Sequence, residues 1–248
     1  MLRRLFVVSF LCLTATVASA DDGAPQSRTE VETIVREYLL ANPEILEEAF
    51  TVLQDRRQAA EDEARLATIE ENRETLVASP NDGVLGNPDG DVTMVEFFDY
   101  NCGYCRRAMG DLAQLLETDP NLRVVLKEFP VLGQASMEAA AVSIAVQSLY
   151  PDSYEDFHHR LMTTEGRADG AAALQVAEDL QLPRDELEDT MRSDHVRSVV
   201  QESYELAQSL GLSGTPSYVI GDSVEFGAVG FDQLKMRINE ARCGSLTC

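Results

Sequence analysis

Val92-Thr93-Met94-Val95-Glu96-Phe97-Phe98-Asp99-Tyr100-Asn101-Cys102-Gly103-Tyr104-Cys105 is the stretch that decides the fold. Its first seven residues are apolar and β-rich, which predicts a buried strand. Cys102 and Cys105 follow at the start of a helix-like segment. There, unsatisfied backbone N–H groups and the helix dipole stabilise a thiolate. Cys102 is expected to face outward. Cys105, one turn later, points back toward the strand and is placed to attack any disulfide that Cys102 makes. Such a pair points to thiol–disulfide chemistry.

A lone CxxC also occurs in turns, half zinc sites and structural bridges, so the surrounding residues have to carry the reading. Glu96 alternates inward between apolar neighbours. A buried carboxylate below the thiols would have a raised pKa and could take the proton from Cys105 as it attacks. The alternative is a polar residue facing out of a half-exposed strand. Lys127, one of two lysines, interrupts the apolar run Val124 to Phe129. It could pair with Glu96 across the sheet or snorkel to solvent. Gly214-Thr215-Pro216-Ser217 places a proline at the mouth of a strand, a candidate cis bond. Beside a CxxC helix it would leave the Thr215 backbone open to an extended substrate strand; an ordinary trans proline is the other reading.

Working outward, Leu122 to Phe129 reads as a second strand closed by Pro130. Val84-Leu85 reads as a short first one, and Arg106 to Leu116 as the helix after the cysteines. A helical stretch from Ser136 to Leu210 is punctuated at Pro151, Gly166, Gly170 and Pro183. Ser217-Tyr218-Val219-Ile220 turns at Gly221-Asp222 into Val224-Glu225-Phe226, and Phe231 to Arg242 closes the chain as a helix. The order is strand, CxxC helix, strand, helical insert, hairpin, helix. That predicts an α/β, thioredoxin-like fold interrupted by a helical domain.

Upstream, Val31, Ile34, Val35, Tyr38 and Leu39 recur at helical spacing. Asn42-Pro43-Glu44 is a helix start, and no glycine or proline recurs until Pro80, so one helix is expected from Pro43 to Ala78. Leu46, Phe50, Leu53, Arg57, Ala60, Ala64 and Ala67 form its narrow stripe among charged residues. Self-association as a coiled coil would bury that stripe; a solvated helix lying on its own domain is the alternative. Ser79-Pro80-Asn81-Asp82-Gly83 marks the boundary. The expected domains are a signal at 1–20, an N-terminal helical oligomerisation region at 21–80 and a thioredoxin-like domain at 81–248. Its helical insertion spans about 134–210.

Residues 1–20 have a basic start, a short apolar run and Ala18-Ser19-Ala20, the pattern of a secretory signal cut after Ala20. Cys12 leaves with it. The mature chain is expected in an oxidising compartment, a bacterial periplasm first, with no membrane span after cleavage. Loss of Arg3 and Arg4 changes the net charge of −23 to −25. So acidic a surface repels nucleic acid and anionic membrane.

Phe97 to Cys105, with Lys127-Glu128-Phe129-Pro130 and Gly214-Thr215-Pro216, resembles the DsbA-like family of periplasmic thiol–disulfide oxidoreductases. Ile34 to Pro43 is similar to the N-terminal extension of its ScsC-like branch (suppressor of copper sensitivity protein C). The resemblance implies Cys102 as nucleophile, Cys105 as resolving thiol, Glu96 as buried acid and Pro216 as a cis-proline. It also implies a homo-oligomer, trimeric in extended branch members that are disulfide isomerases linked to copper tolerance, and a membrane thiol electron donor. Strong oxidases of the family carry Pro-His between the cysteines. Gly103-Tyr104, like Thr215 before the proline, resembles periplasmic isomerases instead. Losing one contact to the Cys102 sulfur is worth about 1.4 kcal/mol per pKa unit, or about 30 mV, toward a less oxidising pair.

The expectation is therefore a thiol–disulfide isomerase or reductase acting on disulfide-containing periplasmic proteins. Cys102, Cys105, Glu96 and Lys127 form its catalytic set, and Gly103, Tyr104, Thr215 and Pro216 meet the substrate. The rivals are a monomeric disulfide oxidase, and a copper-binding or holdase protein whose reduced Cys102 and Cys105 take Cu(I). No cofactor or metal centre is expected otherwise. Cys243 and Cys248 bracket four residues, where a local structural bridge would contribute about 2 kcal/mol. A relay to the main pair and a zinc site shared with it are the less favoured readings. His158, His159 and His195 read as ordinary helix residues.

Overall fold

A computed structural model describes residues 27–248; the signal segment, Cys12 and the Ala20 cleavage site lie outside them. The chain divides into two compact units at Arg57/Gln58, within a helix. In the first, α1 (Arg28–Ala41) begins at Ser27, whose side chain accepts from the Glu30 N–H, and ends at Asn42. α2 (Glu44–Glu71) follows Pro43. α1 buries no residue, and Val31, Ile34, Val35, Tyr38, Leu46, Phe50 and Leu53 are all exposed in the single chain.

The expected helix from Pro43 to Ala78 is interrupted. It breaks at Asn72, whose side-chain amide donates to the Thr68 carbonyl at 2.9 Å, and resumes as α3 (Arg73–Ala78). The break has a packing cause. Ile69 and Leu76, on either side of it, are both buried in one cluster with Val95, Phe97, Val125 and Val219. The end of α2 and α3 thus belong to the sheet's core, although they precede the Ser79–Gly83 turn.

The second unit is built on a five-stranded sheet of order β1-β3-β2-β4-β5. The strands are β1 (Gly83–Gly86), β2 (Val92–Phe98), β3 (Leu122–Glu128), β4 (Ser217–Ile220) and β5 (Ser223–Phe226). β2 and β3 are parallel, joined by α4 (Gly103–Thr118); the other pairs are antiparallel. Gly221, at φ +57°, makes the short turn from β4 to β5. Gly83 admits no side chain, because a Cβ there would lie 2.0 Å from the Tyr154 ring.

Alternation sorts each strand onto two faces. Val92, Met94 and Phe98 of β2 meet Val124 and Leu126 of β3 on the face covered by α4 and by α10 (Phe231–Cys243). Val95, Phe97 and Val125 face the other way, toward Leu76 and the end of α9 (Asp194–Ser209). Between β3 and β4 lies the insertion: α5 (Gln134–Leu149), a 3₁₀ turn at Pro151–Ser153, α6 (Tyr154–Thr163), α7 (Gly170–Asp179), α8 (Arg184–Thr190) and α9. Pro151, Gly166, Gly170 and Pro183 fall at its breaks, as their chemistry predicts. The start of α9 is set by Ser193, whose hydroxyl accepts from the Val196 N–H. Among the described residues, no helix is long and apolar enough to cross a membrane.

Candidate active site

Cys102 is the N-cap of α4, and its carbonyl accepts the first helical bond from the Arg106 N–H at 3.1 Å. Both cysteines are unbridged and buried; the residual 6% exposure belongs to Cys102, against 0% for Cys105. The Cys102 Sγ lies 3.1 Å from the Thr215 carbonyl, and the Thr215–Pro216 bond is cis. As a thiol, Cys102 donates to that carbonyl. As a thiolate it accepts from the Cys105 thiol, the Thr215 side chain and the N–H groups of Cys105 and Tyr104. These donors, the Cys105 thiol foremost, outweigh burial and bring its pKa down to about 5. At pH 7 about 99% of the thiol would be ionised. Cys105 moves the opposite way, held far above the ordinary thiol range by its bond to Cys102, by burial and by the charge of Glu96.

Glu96 falls on the α4 face of the sheet, as its alternation with Val95 and Phe97 requires. Burial, then the Cys102 charge, pushes its pKa up to about 8. It is therefore mostly neutral near pH 7 and needs only a modest rise in pH to ionise and become able to accept a proton. Tyr218, paired with Glu96 in the β2–β4 register, has its phenol raised by burial and by the charges of Glu96 and Cys105.

The structure corrects Lys127. It does not meet Glu96, because the parallel register aligns Lys127 with Phe97, on the opposite face. Fully buried there, its ammonium pairs with Asp82 at 2.6 Å, donates to the Thr75 carbonyl at 2.7 Å and reaches Glu202 at 3.4 Å. It ties β3 to α3, the boundary turn and α9.

Several residues around the thiols escaped the sequence reading. The Asp99 carboxylate accepts from the Asn101 N–H, the Ser136 hydroxyl and the Leu132 N–H. Asn101 exchanges two hydrogen bonds with the Ala168 backbone. Arg106 donates to the carbonyls of Tyr100 and Thr164. Together they lock the turn before Cys102 to the insertion. Tyr100 bonds Ser143 at 2.8 Å and His158 at 3.1 Å, and burial drops the His158 pKa to about 3, so that imidazole is neutral. Only the polar run Asp99-Tyr100-Asn101 at a strand end hinted at these contacts.

Gly103 is open to solvent, and Tyr104 is 59% exposed beside the pair, with the Arg107 guanidinium 4.3 Å from its ring centre. Cys243 and Cys248 are bonded to each other. The neighbouring Arg242 binds Asp91 ahead of β2 and Asp119 after α4, so this bridge lies at the far end of β2 and α4 from Cys102. That separation leaves no geometry for a relay or a zinc site shared by the two pairs.

Residues 93–239 match the family described as DSBA-like thioredoxin domain, and residues 28–60 match the copper resistance protein ScsC N-terminal domain. A thioredoxin-like oxidoreductase from Silicibacter pomeroyi DSS-3 is 43% identical, with a TM-score of 0.66 over 69% of this chain and 98% of that one. Proteus mirabilis ScsC in a transitional conformation is 31% identical, with a TM-score of 0.66 over 87% of this chain and 97% of that one. Disulfide bond formation protein D of Bacillus subtilis (strain 168) is 25% identical over 167 residues, 63% of this chain and 75% of the relative. The chain also matches Na(+)/H(+) antiporter NhaA 1 of Salinispora arenicola (strain CNS-205), 24% identical over 164 residues, and spans 25% of that relative's length. With its thiol pair on the helix after β2 and a helical insertion between β3 and β4, the chain belongs to the DSBA-like thioredoxin domain family, preceded by a ScsC-type N-terminal domain.

Proposed function

We propose that this protein is an exported, periplasmic thiol–disulfide isomerase or reductase that works as a homo-oligomer. The observation carrying the chemistry is the Cys102 sulfur, held at a helix N-terminus and 3.1 Å from the Thr215 carbonyl, with its pKa brought down to about 5. The Cys102 thiolate attacks one sulfur of a substrate cystine. A mixed disulfide forms and the other substrate sulfur leaves as a thiolate. When a different substrate thiol attacks the substrate sulfur of the mixed disulfide, Cys102 is released and the substrate is rearranged with no net redox change. When Cys105 attacks instead, its proton passes to the ionised form of Glu96, the substrate leaves reduced and the Cys102–Cys105 disulfide forms. Two electrons must then return from a thiol donor, for which a membrane partner is the proposed source.

The isomerase preference rests on the Gly103-Tyr104 dipeptide, and oligomerisation on the exposed apolar residues of α1 and α2. One observation favours disulfide oxidation instead: stabilising the Cys102 thiolate stabilises the reduced pair and makes its disulfide a stronger oxidant. Refolding of scrambled ribonuclease, run beside oxidation of reduced ribonuclease, separates the two. The proposal expects faster recovery from the scrambled protein. Recovery only from the reduced protein favours the oxidase, and Cu(I) binding with no turnover in either assay contradicts both.

A further inference from the structure

The first turns of α4 contain an arrangement that the exchange chemistry alone does not require. Cations are least favoured at a helix N-terminus, yet Arg106 and Arg107 stand there, in a chain with 43 acidic and 20 basic residues. Arg106 is accounted for by the carbonyls of Tyr100 and Thr164. Arg107 is not. It is exposed and has no carboxylate within ion-pair distance among the described residues, although Asp111 stands one helical turn away. Its guanidinium lies over the ring of Tyr104, 4.3 Å from the centre. Stacking on an aromatic face leaves the N–H edge of a guanidinium free for a planar acceptor. Tyr104 itself is 59% exposed, and the space beside Gly103 is empty. A flat, half-apolar platform with an unpaired cation thus lies one helical turn from the Cys102 thiol.

We propose that Tyr104 and Arg107 set substrate preference, selecting cystines flanked by an acidic residue whose carboxylate pairs with the Arg107 guanidinium while the adjoining chain packs on the Tyr104 ring. This rests on the thiol–disulfide reading above and names the class of substrate it favours. The reaction is the one already described: Cys102 forms the mixed disulfide and the second substrate sulfur leaves as a thiolate. Arg107 does not touch the reacting sulfurs. The net charge of the chain repels acidic partners at long range, but at physiological salt that field is screened beyond about 8 Å. The local cation then decides.

The test uses two disulfide-bonded peptides, identical except for Asp or Lys beside one cysteine, mixed with the reduced full-length protein at 0.15 M salt. The Asp/Lys ratio of mixed-disulfide formation rates is compared among wild type, Arg107→Gln and Arg107→Glu. The expected ratio falls roughly fivefold in R107Q, the size of an exposed ion pair, and further in R107E. The Cys102 thiolate titration should stay in place. The same ratio in all three proteins overturns the proposal, and so does a shifted titration with an unchanged ratio, which would make Arg107 a thiolate-tuning group. Wild type reacting with neither peptide overturns the exchange reading itself, separately from the preference.

Discussion

Cys102 and Cys105 differ by their surroundings rather than their chemistry. Four donors converge on the first sulfur, while the second is sealed under it beside a carboxyl group. That asymmetry suits the first thiol to attack and the second to wait protonated, the roles the proposed mechanism gives them. In the proposed mechanism, Glu96 is the residue on which release from the mixed disulfide turns. Replacing it by glutamine should leave the attack by Cys102 intact and slow release roughly tenfold at pH 7, the low end of about a hundredfold for a general base cut by the roughly one-tenth of Glu96 that is ionised there. In wild type the release rate should climb as pH approaches about 8, where the carboxyl ionises, and Glu96→Gln should flatten that rise. Single-turnover release of a thiol-labelled peptide reads both; equal rates and equal slopes would exclude Glu96 from the step. Much of this was legible in the sequence, because strand alternation puts Glu96 on one face and the motif puts the thiols above it. Asp99, Asn101 and Tyr218 were not, because their partners come from the insertion and from the β2–β4 register, which no local pattern encodes.

At the scale of elements, β3 shows where local reading fails. Its residue 127 looked like a partner for Glu96 because both interrupt apolar strands. The register sends them to opposite faces, and Lys127 becomes the pin between the sheet, α3 and α9. Burial, partly offset by the Lys127 charge, leaves the Asp82 pKa raised to about 7. Since this pKa is above its unfolded value, Asp82 loses folding stability as pH rises from about 3.8 to about 7. Lys127→Met leaves that carboxylate uncompensated, so it should destabilise by about 3 kcal/mol, the low end for a broken buried pair. The loss should be larger at pH 8 than at pH 5.5, where the acid can stay neutral. Urea unfolding at both pH values measures it, and the Cys102 titration should not move. Equal losses at the two pH values would mean that packing, not charge, is what Lys127 supplies. The break between α2 and α3 was hidden for a similar reason. Asn72 is a weak stop signal, and only the burial of Ile69 and Leu76 against the sheet requires the bend.

For the whole molecule, the two ends of the sequence have different solvents in prospect. The thioredoxin-like unit buries its apolar residues in contiguous clusters around the sheet, whereas α1 and the first half of α2 leave theirs uncovered. The stripe along those helices was readable from its spacing, and in the single chain its large apolar residues are exposed. Light scattering should give an oligomer for the mature protein and a monomer once residues 21–57 are removed; a monomer in both would leave the stripe without a role in assembly. The charge of −23 also belongs to this scale, and it bears on solubility and on partners rather than on the fold. Every functional statement about the protein still depends on one ionised sulfur. The direct test is the second-order rate of mixed-disulfide formation by the reduced protein, followed from pH 3 to pH 10. A single rise centred near 5, a plateau to pH 8 and no reaction in Cys102→Ser are predicted. A rate still climbing through pH 9, as for an ordinary thiol, or a serine variant that reacts like wild type, would contradict the account.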